Sequence, residues 1–306
     1  MLSKELAHAV ALEADLLERI ETAGGAAAAR ESVGEILTAR AAKRTPDDIR
    51  VGAVDEGGVR GEWVQSPLDP DSRVAVFVHG GAFTLGSAAQ SRELAARLSR
   101  ASQTRVLSLD YGLAPEYPFP RARDEIVSAF NWLLAGGADP REVALVGEST
   151  GATLALAAAL ALRDAGGAGP GTVVLMSPVV DLRIVGHAPA ADPMRAAESI
   201  AAGAAAYLAA TSPDDPGASP GLAELDGLPS LFIQVGTADP FLDQVRAFAQ
   251  RARDAGVDVT YREFDGMVHR WQSYPHIRDA GRAINQVGDY LLQRIGPGYV
   301  PVERPA

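Results

Sequence analysis

Ser149 stands in the run Gly147-Glu148-Ser149-Thr150-Gly151, with a glycine two places before it and another two places after. The apolar run 143–146 ahead of it reads as a short buried strand. The Ala/Leu-rich pattern from Ala152 to about Arg163 reads as a helix. A serine on a sharp strand-to-helix turn needs small neighbours, and Gly147 and Gly151 remove the Cβ atoms that would collide there. The turn also aims the following backbone N–H groups at a developing oxyanion. At this stretch alone, an ordinary strand–turn–helix with an incidental serine is the competing reading. Three further groups also follow strand-like runs. They are His79-Gly80-Gly81-Ala82 after 73–78, Asp239 after 231–235, and His269 after 257–264. In parallel sheets, chemistry gathers beyond the carboxyl ends of the strands. A serine hydroxyl is a poor nucleophile, so a histidine must take its proton, and a carboxylate must hold that imidazole in one tautomer. Adjacent glycines can turn backbone N–H groups outward to meet the oxyanion, although a plain tight turn uses them equally well.

The elements that must position these groups alternate. The 306 residues are 47% hydrophobic and 22% charged, enough apolar material for one large domain or two small ones. Residues from about Leu2 to Lys43 read as two helices broken at Gly24-Gly25, with Leu2, Leu6, Val10, Leu16, Leu17 and Ile20 near one face. Two strand-like runs near 49–54 and 61–65 have no helix between them and suggest an antiparallel edge. After them, apolar strands alternate with amphipathic helices, which predicts a mostly parallel sheet covered on both faces. Asp110 to Pro120 carries three prolines in its last six residues and reads as a stiff loop bearing aromatics. From Arg183 to about Pro220 the periodicity changes around one helix, 195–210, as in a lid inserted between two strands. The expected division is an N-terminal helical cap over 1–45, a core over 46–182 and 221–298, a cap or lid insertion over 183–220, and a tail over 299–306. A net charge of −11 argues against nucleic acid and anionic membranes as partners. The sequence holds no cysteine, so thiolate chemistry is excluded. No stretch has the length of a membrane span or the pattern of a signal peptide, so a cytoplasmic location is expected.

With these motifs assembled, the chain resembles the bacterial hormone-sensitive-lipase-like (family IV) esterases of the α/β-hydrolase superfamily, over about residues 74–290. His79-Gly80-Gly81-Ala82 is similar to that family's His-Gly-Gly-Gly oxyanion loop. Asp110-Tyr111-Gly112-Leu113-Ala114-Pro115-Glu116 resembles its Asp-Tyr-Arg-Leu-Ala-Pro-Glu loop. Asp239-Pro240-Phe241-Leu242-Asp243 resembles its Asp-Pro-Leu-x-Asp run, and Gly266-Met267-Val268-His269 the segment holding its histidine. The resemblance implies an α/β-hydrolase fold with about eight strands, helices on both faces and a helical cap. It implies a triad of Ser149, Asp239 and His269, and oxyanion donors on the backbone of Gly81, Ala82 and Thr150. The implied activity is a cofactor-free serine carboxylesterase acting on small to medium, short-acyl esters. A tailoring hydrolase or acyltransferase on a specialised metabolite, by deacetylation or lactone chemistry, is the alternative. A more distant one is a non-catalytic ligand-binding protein, which would lack the histidine. A homodimer is compatible with the sequence and not specified by it.

Four departures stand out. Ala82 replaces a glycine, Gly112 an arginine, and Glu148 and Thr150 replace the Asp and Ala that flank the family's serine. Thr150 is expected to narrow the acyl side of the pocket. Phe83, Met194, Tyr207, Met267 and Trp271 are expected to line that pocket. His276 competes with His269 as the base, and Asp243 and Asp265 compete with Asp239. His8 and His187 read as solvated. No cluster has metal-ligand spacing.

Overall fold

The computed structural model describes residues 3–67, 72–183 and 192–295. Two helices open the chain, α1 (Lys4–Thr22) and α2 (Ala26–Arg44). Ser3 caps α1, its hydroxyl accepting from the Leu6 N–H at 3.1 Å. Gly24 and Gly25, both at positive φ, make the turn between the two helices. The strands β1 (Arg50–Glu56) and β2 (Val59–Gln65) form an antiparallel hairpin at the sheet edge. The alternation that follows is β3 (Val74–Val78), α3 (Ala88–Ser102), β4 (Arg105–Leu109), α4 (Arg121–Ala135), β5 (Val143–Glu148), α5 (Thr150–Asp164) and β6 (Thr172–Met176). It continues with α6 (Ala196–Leu208), β7 (Ser230–Gly236), α7 (Leu242–Asp254), β8 (Val259–Phe264) and α8 (Arg278–Arg294).

The eight strands form one sheet in the order β1-β2-β4-β3-β5-β6-β7-β8, parallel from β4 to β8. Side chains alternate between two cores. Val74, Val76 and Val78 face the core that contains α4 and α5, while Ala75 and Phe77 face α3 and α8. A strand buried on both faces has no polar positions to spare, which is why β3, β5 and β6 read as continuous apolar runs.

The topology fixes where a site can form. From β3 the chain crosses to β4 on one side, and from β5 it crosses to β6 on the other. A crevice therefore opens beyond the carboxyl ends of β3 and β5. His79-Gly80-Gly81 leaves one strand there and Ser149 leaves the other. The expected alternation and antiparallel edge are both observed. The lid segment is described only outside residues 184–191, so His187 lies outside the described residues, as do the expected tail and Leu2. Among the described residues, no helix is long and apolar enough to cross a membrane.

Candidate active site

Ser149 is held at φ 56° and ψ −126°, a conformation that costs a non-glycine residue free energy. Close packing enforces it. A Cβ on Gly151 would overlap the carbonyl oxygens of Val78 and His79, and one on Gly147 would overlap the carbonyl of Gly151. The elbow is thus pressed against the end of β3. The Ser149 N–H donates to the Met176 carbonyl at 2.9 Å, anchoring it to β6 as well.

Two loops bring the partners. His269 follows β8 and Asp239 follows β7. The loops touch at Gly236, where a Cβ would overlap the Met267 carbonyl, and at the Ala238 N–H, which donates to that same carbonyl at 3.0 Å. Ser149 Oγ lies 2.8 Å from His269 Nε2, and His269 Nδ1 lies 2.9 Å from Asp239 Oδ2. All three side chains are buried. Asp239 Oδ1 also accepts from the Phe241 N–H at 2.9 Å, and the Phe241 ring meets the imidazole edge-on. With the Nδ1 proton directed to Asp239, the Nε2 lone pair faces the serine hydroxyl, the arrangement that proton abstraction requires. The competing residues are elsewhere. Asp243 is 97% exposed and faces Arg246, Asp265 accepts from Thr237, and His276 packs against His8 at the surface.

The loop after β3 carries three successive residues at positive φ: Gly81 at 126°, Ala82 at 50° and Phe83 at 63°. The N–H groups of Gly81, Ala82 and Thr150 donate to no acceptor among the described residues. The Tyr111 hydroxyl donates to the His79 carbonyl at 2.6 Å, and its ring stacks on the imidazole of His79. Burial pushes the His79 pKa down, opposed by the carboxylates of Asp110 and Glu148. Gly112, the departure in the proline-rich loop, donates its N–H to Glu125 Oε2 at 2.6 Å. Arg121 supplies a guanidinium to the same carboxylate. A Cβ at Gly112 would sit 2.9 Å from the Tyr117 side chain.

Ser149 and His269 open onto a cavity of about 610 Å³. Its apolar lining comes from α1 and α2, through Leu16, Leu17, Ile20, Val33 and Leu37, and from α6, through Ile200 and Ala206. Of the five residues expected to line it, only Met194 does. Phe83 turns away because of its positive φ and stacks on Tyr207, with centroids 4.2 Å apart and planes 8° apart. Trp271 is fully buried against Phe264. Met267, on the same loop as His269, is also buried. Thr150 does not narrow the cavity either. Its side chain is fully buried, and its hydroxyl accepts from the Phe83 N–H at 3.3 Å.

The departure Glu148 belongs to a charged group beside Ser149 and His269 whose other members, Arg270 and Glu13, the sequence does not bring together. Glu148 accepts from the Ser273 hydroxyl and lies 3.9 Å from Arg270 Nε. Arg270 also lies 3.7 Å from Glu13 of α1, which accepts from Tyr274 at 2.6 Å. Beside Glu148, which stands out as a departure, the further signal is Glu13, a carboxylate set four residues after Ala9 and four before Leu17, on the apolar face of α1. Among the described residues no group of acidic or histidine side chains could hold a metal ion.

Comparison with known proteins agrees with this geometry. The family described as alpha/beta hydrolase fold matches residues 75–273. An acetyl-hydrolase of Streptomyces hygroscopicus is 40% identical over 261 residues, 83% of this chain and 85% of that protein. An esterase of Acinetobacter venetianus is 34% identical over 231 residues, 74% of this chain and 76% of that one. The crystal structure of an esterase from the bacterial hormone-sensitive lipase family superposes with a TM-score of 0.88 at 35% identity, covering 97% of this chain and 100% of the other. The chain therefore belongs to the bacterial hormone-sensitive-lipase-like family of α/β-hydrolase esterases.

Proposed function

We propose that the protein is a serine carboxylesterase that hydrolyses small to medium esters with short acyl groups. The observation that carries this reading is the buried relay from Ser149 through His269 to Asp239, with its hydroxyl facing a cavity of about 610 Å³. Ser149 Oγ attacks the ester carbonyl while His269 Nε2 takes its proton. The carbonyl oxygen becomes an oxyanion met by the N–H groups of Gly81, Ala82 and Thr150. Collapse expels the alcohol, which receives the proton from His269, and leaves an acyl group on Ser149. Water, deprotonated by His269, then attacks the acyl-enzyme and releases the acid. The helices α1, α2 and α6 act as the cap that excludes bulk water from these steps.

The short-acyl preference is supported by the name of the acetyl-hydrolase relative and by the small residues of α6. The size of the cavity favours a second, compatible reading, in which a short acyl group is removed from a larger alcohol. Specificity constants for p-nitrophenyl esters from acetate to decanoate test the first reading, which expects an optimum at roughly six carbons or fewer, because each methylene adds about 0.8 kcal/mol only while there is room to bury it. A constant still rising at decanoate would overturn it. Labelling by a fluorophosphonate, located by peptide mass spectrometry, is expected at Ser149 and at no other serine.

A further inference from the structure

The oxyanion loop holds two consecutive non-glycine residues, Ala82 and Phe83, in the left-handed region. Each is disfavoured relative to ordinary backbone for a residue with a Cβ, so the loop keeps this shape only if its surroundings fix it. The contacts converge on Phe83. Its carbonyl accepts from the Ala114 N–H at 3.0 Å, its ring stacks on Tyr207 of α6, and its N–H donates to Thr150 Oγ1 at 3.3 Å. The last contact differs from the others in kind. Thr150 is the residue whose own N–H lies beside Ser149, on the other half of the oxyanion hole.

We propose that the Thr150 hydroxyl is a positioning group that stitches the two halves of the oxyanion hole together. Through one residue, the N–H at the elbow and the N–H groups of Gly81 and Ala82 are held at a fixed separation. An alanine here, the residue usual in the family, has no atom to accept from Phe83. Phe83 is buried, and without Thr150 Oγ1 its N–H has no other acceptor among the described residues. The loop must then strain or shift to reach one. The effect falls on the transition state, where the oxyanion forms, and not on ground-state binding, because the threonine side chain lies outside the cavity.

This inference rests on the esterase reading above and is tested by Thr150→Val, Thr150→Ala and Thr150→Ser. Substrate is p-nitrophenyl acetate, and the probe is an alkyl trifluoromethyl ketone, which adds Ser149 Oγ to its carbonyl and places an oxyanion in the hole. Thr150→Val and Thr150→Ala are expected to lower kcat about tenfold, the scale set by one orphaned buried donor. KM should stay within about twofold, and the ketone's inhibition constant should weaken by the same factor as kcat/KM. Thr150→Ser keeps the oxygen and should recover most of the loss. An unchanged kcat in Thr150→Ala would overturn the proposal, as would a Thr150→Ser as impaired as Thr150→Val, which would mean that the methyl group packs and the hydroxyl does nothing. A rise in KM alone would return Thr150 to the substrate pocket. Should Thr150→Val fail to fold, Thr150→Ala decides. A wild-type protein with no activity on any ester would instead defeat the esterase reading itself.

Discussion

Glu148 and Arg270, the residue before Ser149 and the residue after His269, meet across the site with 3.9 Å between Glu148 Oε1 and Arg270 Nε. Arg270 also reaches Glu13 on α1, so one guanidinium ties the elbow, the histidine loop and the first helix together. Its pKa is raised by Glu13 and Glu148 against the cost of burial, so it stays charged.

Arg270→Met should therefore leave two inward-facing carboxylates without a cation. The expected loss is about 2 kcal/mol, below the cost of breaking a tight buried pair, because both contacts are long and the guanidinium opens to the cavity. Adding Glu148→Gln should restore part of that loss. Urea unfolding of the two single variants and the double variant measures the coupling. Strictly additive losses would mean that Glu148 and Arg270 do not act together.

The relay of Ser149, His269 and Asp239 should behave as one unit. Ser149→Ala, His269→Ala and the double variant should fall to the same residual rate, a loss of roughly 10⁴-fold or more in kcat, because members of such a relay are not additive. Asp239→Asn should keep its fold while losing roughly 10²–10⁴ in kcat, since an amide NH₂ favours the wrong imidazole tautomer. Steady-state rates with p-nitrophenyl acetate measure all four. Near-wild-type rates in Asp239→Asn would shift the role to another carboxylate.

Much of this was legible because it is local. Gly147, Ser149 and Gly151 announce a strained turn within five residues, and the strands on either side are short apolar runs. The failures concern direction. Phe83 lies beside the oxyanion glycines in sequence, yet its positive φ sends the ring to Tyr207, and no periodicity encodes that. Trp271 follows His269 by two residues and is turned into the core against Phe264. The contacts of Thr150 with Phe83 and of Arg270 with Glu13 join residues far apart in the chain, so they exist only once the sheet has formed. Gly112 was visible as a departure, but Arg121 as the source of the guanidinium at Glu125 was not.

Stability should fall on acidification in a way that depends on His79. Its imidazole is buried, with Nδ1 2.7 Å from the Gly80 carbonyl, and its folded pKa lies below the ordinary value. The unfolded chain takes up a proton near pH 6.5, while the folded chain resists it. More protons are bound in the unfolded state, so stability rises with pH in this window and is lost as pH falls through it, by up to about 1.4 kcal/mol per pH unit. His276 is shifted in the same direction by desolvation and adds to the effect. Urea unfolding at pH 7.5 and 5.5 should show a clear difference in the wild type and a smaller one in His79→Gln. Equal differences would mean that His79 is not the group responsible.

The cap helix should control the oxyanion loop through a glycine. Gly203 of α6 packs so closely on the loop that a Cβ there would overlap the Ala82 carbonyl oxygen. The obstacle is backbone, so no rotamer change relieves it. Gly203→Ala must push α6 outward or displace Ala82, whose N–H is one of the proposed donors. Either movement also loosens the stack of Phe83 on Tyr207, which lies one turn further along α6. In an unobstructed helix the same substitution stabilises by roughly 0.4–1 kcal/mol, through backbone entropy. Gly281 of α8 supplies that control, since nothing lies within 4 Å of a Cβ built there. Gly281→Ala should raise the melting temperature and leave kcat unchanged. Gly203→Ala should lower the melting temperature and reduce kcat by about tenfold or more, the scale of a misplaced oxyanion donor. Thermal unfolding and rates on p-nitrophenyl acetate, run in parallel, separate the two. A Gly203→Ala protein that matches the control in both measurements would show that α6 does not bear on the loop.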